Sequence, residues 1–383
     1  MRIALAISSL GGGGAERVMA ALANAWAERG HEVTLVTLSS SDRDRYVLDP
    51  GVRRIALGVA GLSTNVLAGI GHNVTRLFAL RRAITTLQPD VVISFIAKNN
   101  VLVLASLFGT RMPIIVSERT FPVGHGVHGV WRVMYRLLYP RAAAVVVQTQ
   151  RCAGPLATLA HKVAVIPNPI LSEPADGLVG ARGVHPLQPG RRGDRRTLLA
   201  VGRLAHQKGF DLLIRAFARI AGIHADWDLV ILGEGKLRED LARMIDAAGL
   251  ASRVSMPGFD PHVRDAMRRA DLFVLSSRFE GIPNALLEAM SESRACVSFD
   301  CDTGPRELIE HGRNGWLVPA GDVPALAEAL DVLMRDADLR ERLGIRAREV
   351  RIHYSLSAIL DQWDELVASS LRPAPQMQRA LQR

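Results

Sequence analysis

The stretch IALAISSLGGGGAERVMAALANAWAERGHEVTLVTL (residues 3–38) opens with an apolar run, Ile3–Ile7, and then passes through four glycines. It continues as an amphipathic segment from about Ala15 to Arg29 and closes on a second apolar run, Val33–Leu38. Short branched runs read as buried strands and the longer periodic segment as a helix, so the stretch predicts a βαβ unit. Such a unit requires a parallel sheet with helices on its faces. Further strands are predicted at Arg54–Leu57, Val91–Phe95, Ile114–Val116, Ala144–Val147 and Val163–Ile166, with helices near 64–88, 98–108, 128–139 and 150–160. The alternation resumes at Leu198–Val201, Leu229–Leu232, Val254–Met256, Leu272–Leu275, Val297–Phe299 and Trp316–Val318. The expected class is therefore α/β, with two facing, doubly wound, Rossmann-like domains and a ligand cleft at the carboxyl ends of their strands.

The expected boundaries are an N-terminal domain over 1–170, a linker over 171–196, a second domain over 197–354, a helix over 355–371 and a tail over 372–383. The linker (LSEPADGLVGARGVHPLQPGRRGDRR) has no periodicity and is rich in Pro, Gly and Arg. The final helix carries Leu356, Ile359, Leu360, Trp363, Leu366 and Val367 on one stripe and must dock on something.

A length of 383 residues suits two domains, and 48% hydrophobic with 22% charged residues excludes disorder. Apolar runs such as Val101–Phe108 are too short to span a bilayer, and Ile3–Ile7 is too short for a signal segment, so a cytoplasmic location is expected. Cys152, Cys296 and Cys301 lack paired spacing and read as reduced thiols, with no metal site. Residues 1–170 hold 18 Lys/Arg against 8 Asp/Glu, whereas residues 171–383 hold 29 against 30. The excess charge sits in the first half, which points to an anionic partner there: a phosphorylated substrate, an acidic bilayer or nucleic acid. Aromatic residues are only 5%, so base-stacking surfaces are scarce and nucleic acid is not expected.

Four strand-to-helix loops carry the candidate chemistry. In the first, Gly12, Gly13 and Gly14 let backbone N–H groups approach a phosphate or other substrate at a helix start, although the dinucleotide-binding glycine spacing fails because Glu16 or Arg17 takes the third glycine's place. In the second, Gly202–Arg203–Leu204–Ala205–His206–Gln207–Lys208–Gly209 sets Arg203 and Lys208 beside a helix start, a pair suited to a diphosphate. The third, Glu280–Gly281–Ile282–Pro283–Asn284, places a loop carboxylate before free N–H groups and puts Glu288 inside the helix, with Pro283 expected in its first turn. Carboxylates so placed can accept hydrogen bonds from sugar and ribose hydroxyls. The fourth, Cys301–Asp302–Thr303–Gly304–Pro305, is another strand-end loop entering a helix.

GRLAHQKGFDLLIRAF (202–217), EGIPNALLEAM (280–290), TGPREL (303–308) and NGWLVPAGD (314–322) follow the order and spacing of retaining glycosyltransferases of family 4, which the chain resembles over nearly its whole length. GGGGAERVMAALANAWAERGHEVTLVT (11–37) resembles that family's acceptor-side opening. The resemblance is to bacterial enzymes that extend lipid-carrier-linked or capsule glycans. It implies the GT-B fold, a nucleoside-diphosphate sugar (most often UDP-linked) as co-substrate, no cofactor and no metal, and a last helix crossing back to the first domain. In that pattern Arg203 and Lys208 neutralise the diphosphate, Glu280 contacts the donor sugar and Glu288 the ribose, with Gly202, Gly281, Asn284, Thr303 and Gly304 completing the donor loops.

Where many members carry a histidine after the fifth strand, this chain has Ser117–Glu118–Arg119. Either Glu118 takes that place near the sugar, or His125 or His128 reaches back from the following loop. Thr303–Gly304 replaces the usual double glycine, and Pro167–Asn168–Pro169 stands where Asn-Gly is commoner. No carboxylate offers itself as a nucleophile below the ring, so front-face attack is expected, with the departing phosphate taking the acceptor's proton. Asp300–Cys301–Asp302 is read as a chance Asp-x-Asp match.

Gly129–Arg141, taken as a helix, puts Trp131, Met134, Tyr135 and Leu138 on one face beside Arg132 and Arg136, which predicts salt-sensitive attachment to the inner face of the cytoplasmic membrane. The partners expected are a UDP-sugar, a lipid-linked or glycan acceptor and an anionic membrane surface. The competing readings are a non-hydrolysing UDP-sugar epimerase and a non-catalytic nucleotide-sugar or nucleic-acid binding protein; the oligomeric state is left open.

Overall fold

The computed structural model describes residues 1–61, 66–119, 130–171, 195–260 and 262–371. It divides into two compact units, one formed by Met1–Pro169 with the chain from Leu356 onward, the other by Ile170–Ser355.

In the first unit seven strands run β1 (Arg2–Ile7), β2 (Glu32–Thr37), β3 (Val52–Ala56), β4 (Val91–Phe95), β5 (Ile114–Ser117), β6 (Ala144–Val147) and β7 (Val163–Val165). All pair in parallel, in the order β3-β2-β1-β4-β5-β6-β7. The strands β4, β5 and β6 are buried on both faces, which is why they appear as unbroken apolar runs. The helix Gly14–Glu28 joins β1 to β2 and buries Val18, Met19, Leu22, Ala23 and Trp26 on its inward side. In the second unit, β8 (Arg196–Val201), β9 (Trp227–Leu232), β10 (Val254–Gly258), β11 (Leu272–Leu275), β12 (Cys296–Asp300) and β13 (Trp316–Pro319) form a parallel sheet in the order β10-β9-β8-β11-β12-β13. Both sheets reverse their winding beside their own first strand, between β1 and β4 and between β8 and β11, where the carboxyl ends of the strands leave room for ligands.

The last helix, Leu356–Leu371, returns to the first unit. Trp363 is fully buried there, edge-on to Trp26 at 6.2 Å between ring centres and stacked on Phe95 at 5.8 Å. Ile359, Leu360, Leu366 and Val367 are buried with it. Trp26 donates its indole N–H to Asp364 at 2.7 Å, and Arg29 pairs with Asp361 at 2.7 Å. The second unit starts where Ile170 donates its N–H to Tyr354 at 2.6 Å and Arg264 reaches the carbonyl of Leu171 at 2.9 Å. Most of the expected linker, residues 172–194, and the tail from 372 lie outside the described residues.

The helix expected near 128–139 spans Val130–Leu138, but its orientation corrects the expectation of a membrane-facing Tyr135–Leu138 side. Tyr135 and Leu138 are buried in the unit's core, Met134 is half-buried, and the side chain of Trp131 lies outside the described residues. The helix is apolar on more than one side, and the side it exposes carries Val133 and Leu137 with Arg132 and Arg136. Among the described residues no helix is long and apolar enough to cross a membrane.

Candidate functional site

In the second unit the loops leaving β8, β11 and β12 are tied to one another. After β8, the chain turns through Gly202 and Arg203, makes a short 3-10 turn at His206–Lys208, and enters the helix Phe210–Ile220 through Gly209. Gly209 has φ +61°, and a Cβ there would overlap the carbonyl of Ser276 at the end of β11, so only glycine lets these loops approach. Around that contact, Ser276 Oγ donates to the Lys208 carbonyl at 2.9 Å, Gln207 Nε2 to the Phe279 carbonyl at 3.1 Å, and the N–H of Arg278 to the Gln207 carbonyl at 2.8 Å. Arg278 also forks onto Asp211 at 2.8 and 2.7 Å. The Arg278 guanidinium holds the Asp211 carboxyl below its ordinary range.

This bracing brings Lys208 Nζ to 2.5 Å from Glu280 Oε1, which also accepts from Ser277 Oγ at 2.6 Å. The Lys208 stem lies over Gly202, whose Cβ, if present, would sit 3.1 Å from Lys208 Cδ. Thr303 donates its hydroxyl to the backbone carbonyl of Glu280, and Gly304, at φ +93°, fits against the carbonyl of Gly281 where a Cβ would overlap it. Gly202, Lys208, Glu280, Gly281, Thr303 and Gly304 are therefore joined in one loop cluster. The buried Cys301 thiol beside it is pushed up to about 12, first by burial and then by the negative charge of Glu280, so it is neutral at physiological pH.

Asn284 and Glu288 are the first and fifth residues of the next helix, Asn284–Ser291, whose N-cap is Pro283 rather than a residue inside the first turn. Glu288 is buried, unlike an ordinary surface helix glutamate. Arg203 is exposed at the mouth of the β8 loop. Asp300, the first residue of the Asp-x-Asp match, accepts from Arg306 at 3.0 Å. Among the described residues no group of three or more His, Cys, Asp and Glu side chains gathers as a metal cage would. Sequence reasoning missed Ser277, Gln207 and the Arg278–Asp211 pair; the only signal for Ser277 was a pair of serines directly after the β11 apolar run.

In the first unit, Gly12 has φ +114°, Gly13 is the N-cap of the first helix and Gly14 its first residue. The helix start lines a cavity of ≈ 660 Å3 together with Ser8, Ser9, Ser39, Asp42 and Arg45. Glu118 is enclosed just beyond β5. Its Oε1 accepts from Asn100 at 3.1 Å, from Tyr135 at 3.2 Å and from Tyr139. The other oxygen has no hydrogen-bond partner among the described residues. Burial raises its pKa, opposed by the hydrogen bonds from Tyr139, Asn100 and Tyr135 and by the neighbouring Arg119 charge. Arg119 lies over the Phe95 ring at 3.6 Å and donates to Asn168 at 2.6 Å, and burial pulls it down to about 9, still charged at neutral pH. Both side chains hold the core of this unit rather than an open surface. His125 and His128 lie outside the described residues.

Comparison with known proteins places these loops in a family. Residues 185–350 match the family "Glycosyl transferases group 1", and residues 13–169 match "Glycosyl transferase 4-like domain". The chain is 27% identical, over 96% of its length and 98% of the relative's, to the Campylobacter jejuni "GalNAc-alpha-(1->4)-GalNAc-alpha-(1->3)-diNAcBac-PP-undecaprenol alpha-1,4-N-acetyl-D-galactosaminyltransferase". It is 29% identical, over 91% of its length and 94% of the relative's, to an N-acetylgalactosamine-N,N'-diacetylbacillosaminyl-diphospho-undecaprenol 4-alpha-N-acetylgalactosaminyltransferase of the same organism. Among solved structures, sucrose-phosphate synthase from Thermosynechococcus elongatus superposes with a TM-score of 0.79 at 18% identity, covering 96% of this chain and 98% of that one. Anabaena HepE in complex with UDP and glucose superposes with a TM-score of 0.76 at 18% identity, covering 96% and 100%. With both units matched and the loop cluster at the ends of β8, β11 and β12, the chain belongs to the family-4 glycosyltransferases and has their GT-B fold.

Proposed function

We propose that this chain moves a sugar, with retention of configuration, from UDP to the growing end of a glycan carried on a polyprenyl diphosphate in bacterial polysaccharide assembly, without metal or cofactor. The observation that carries the reading is the Lys208–Glu280 pair set among strand-end loops, in a chain similar over 91–96% of its length to transferases named for undecaprenyl-linked acceptors.

Departure of UDP develops charge on its β-phosphate, which must be stabilised where it forms. Arg203 and Lys208 supply fixed positive charge at that place without a metal ion. Glu280 and Glu288 accept hydrogen bonds from donor hydroxyls, Glu280 from the sugar and Glu288 from the ribose. The anomeric C–O bond to the β-phosphate breaks while the acceptor oxygen bonds on the same face, and the acceptor's proton passes to the departing phosphate oxygen. The protein then works at the inner face of the cytoplasmic membrane, attached peripherally, so that a lipid-linked acceptor need not leave the bilayer.

The test is incubation with radiolabelled UDP-, GDP- and ADP-sugars and a bacterial lipid extract, with and without EDTA. Label from the UDP-sugar passing into the organic phase in both conditions supports the reading. Label held on the protein with no product makes it a binding protein, and activity lost to EDTA and restored by manganese promotes Asp300 and Asp302 to ligands.

A further inference from the structure

The turn that carries Lys208 has little of its own to hold it. His206–Lys208 is a single 3-10 turn closed by two internal bonds, from the Lys208 N–H to the Ala205 carbonyl at 2.9 Å and from the Gly209 N–H to the His206 carbonyl at 3.3 Å. Short 3-10 segments bond with poor geometry. Gly209, at φ +61°, then joins this one to the helix Phe210–Ile220 through the residue type with the greatest backbone freedom. The segment before that glycine can turn about it unless something outside fixes it.

The loop after β11 does the fixing, and Arg278 supplies most of it. Three successive carbonyls of the turn accept hydrogen bonds from this loop: His206 from Arg278 Nη1 at 2.8 Å, Gln207 from the Arg278 N–H at 2.8 Å and Lys208 from Ser276 Oγ at 2.9 Å. The same guanidinium forks onto both oxygens of Asp211, the second residue of the helix, at 2.8 and 2.7 Å. One planar group thus grips the chain on both sides of Gly209, at His206 before it and at Asp211 after it. A lysine ammonium in its place could not match the fork.

Arg278 also lies on the same loop as Glu280, the partner of Lys208 Nζ at 2.5 Å. That loop therefore fixes the backbone of Lys208 and carries the carboxylate that its ammonium meets. Arg278 is not a further cation for a phosphate, because both of its Nη atoms face the Asp211 carboxylate, which cancels their charge. We propose that Arg278 is a positioning residue: by bridging Gly209 it keeps Lys208 at Glu280, where the lysine meets the leaving diphosphate, and it touches no ligand itself. That the lysine meets a diphosphate rests on the transferase reading; the hold on Lys208 does not.

The experiment is a pair of double-variant cycles on the full chain, combining Arg278→Lys with Lys208→Ala. Arg278→Lys keeps the charge and loses the fork. In calorimetric titrations it should bind UDP about tenfold more weakly than the wild type, the effect of losing one good charged hydrogen bond. Uridine, which has no phosphate, should bind both proteins within about twofold of one another. In the Lys208→Ala background, Arg278→Lys should change UDP affinity by less than about twofold, because a residue acting through Lys208 has nothing left to act on. Urea unfolding reads the same coupling with no nucleotide present: Lys208→Ala should lower the midpoint, and by less than half as much beside Arg278→Lys. Asp211→Asn loosens the fork from its other side and serves where Arg278→Lys does not fold. Removing that negative charge would by itself favour UDP, so a lower UDP affinity with unchanged uridine affinity marks positioning.

The proposal is overturned by UDP affinity that Arg278→Lys and Asp211→Asn leave unchanged or raise, or by a loss that uridine shares or that is as large without Lys208. It is equally overturned by a Lys208→Ala midpoint shift that Arg278→Lys does not reduce. A wild type that binds no UDP refutes the donor reading alone, and the urea cycle then still decides the hold on Lys208.

Discussion

Lys208 and Glu280, 72 residues apart, form an ion pair at 2.5 Å in which the Glu280 side chain is 7% exposed and the lysine 18%. This pairing makes the lysine a structural as well as a chemical group. Lys208→Ala should lower turnover by about 10²-fold or more, as loss of a charge facing a developing anion does. It should also destabilise the second unit by about 2–3 kcal/mol, less than a fully buried pair would lose, since Ser277 still donates to Glu280 and the lysine is partly solvated. Adding Glu280→Gln should restore most of the melting temperature and none of the turnover. A single variant that melts like the wild type, or a double variant that regains activity, contradicts the assignment.

Legibility of the fold followed from burial. Strands covered on both faces, such as Val91–Phe95, have no alternating polar side and so stand out in the sequence, and the glycine-bearing turns at their ends mark where helices begin. The strand-end loops of the second unit could be located for the same reason, but their mutual bracing could not. That Thr303 ties the Glu280 backbone, or that Arg278 clamps Asp211, depends on β11 lying between β8 and β12, a pairing no local pattern encodes. Glu118 could be read as a carboxylate at a strand end, but its enclosure by Tyr135 and Tyr139 could not, because those rings come from a helix and a turn some twenty residues further on. The helix carrying Tyr135 misled because apolar residues occupy several of its sides, so periodicity alone could not say which side faces inward.

The return helix is the second testable element. Trp363 is wedged against Trp26 and Phe95 with no exposed surface. Trp363→Ala should cost about 3–5 kcal/mol, the usual range for emptying an aromatic site in a core. Asp364→Asn weakens its bonds to Trp26 and Arg29 and should cost about 1 kcal/mol. Urea melts read both, and a Trp363→Ala protein of wild-type stability would show that the helix is not anchored by this ring.

Glu118 gives a pH dependence with a definite sign. Its folded pKa is raised, so between the ordinary glutamate value of about 4.3 and the folded value the native state holds a proton that the unfolded chain has released. Stability from this group is therefore complete at low pH and lost as pH rises through that window. Glu118→Gln keeps an acceptor for Tyr135, Tyr139 and Asn100 but does not titrate. The melting temperature of the wild type relative to Glu118→Gln should fall as pH is raised from about 4 to 8. Parallel pH profiles for the two proteins would show that the carboxyl stays ionised throughout.

The last prediction concerns membrane attachment and the side of the first unit that can provide it. The helices Val66–Leu87, Ala97–Ser106 and Val130–Leu138 pack in succession; Phe78, Val133 and Leu137 on them are exposed, as is Phe108 just after the second. Arg81 donates to the carbonyl of Phe108 at 2.9 Å, Arg141 lies over its ring at 4.1 Å, and Arg82, Arg132 and Arg136 are exposed on the same helices. Apolar side chains set among arginines, with no exposed carboxylate on the last of these helices, complement an anionic bilayer better than a protein partner of balanced charge. Arg132→Glu with Arg136→Glu should weaken binding to vesicles rich in anionic lipid by at least about tenfold, since each basic residue near such a surface contributes about 1 kcal/mol. Phe78→Ser with Leu137→Ser should weaken binding to the same vesicles while leaving its salt dependence in place, because it removes insertion and not charge. Both double variants should keep the wild-type melting temperature, the substituted side chains being exposed. Co-sedimentation at low and high salt reads all three proteins. Wild-type binding that is equal for neutral and anionic vesicles, or that neither double variant reduces, would move the membrane contact to another face.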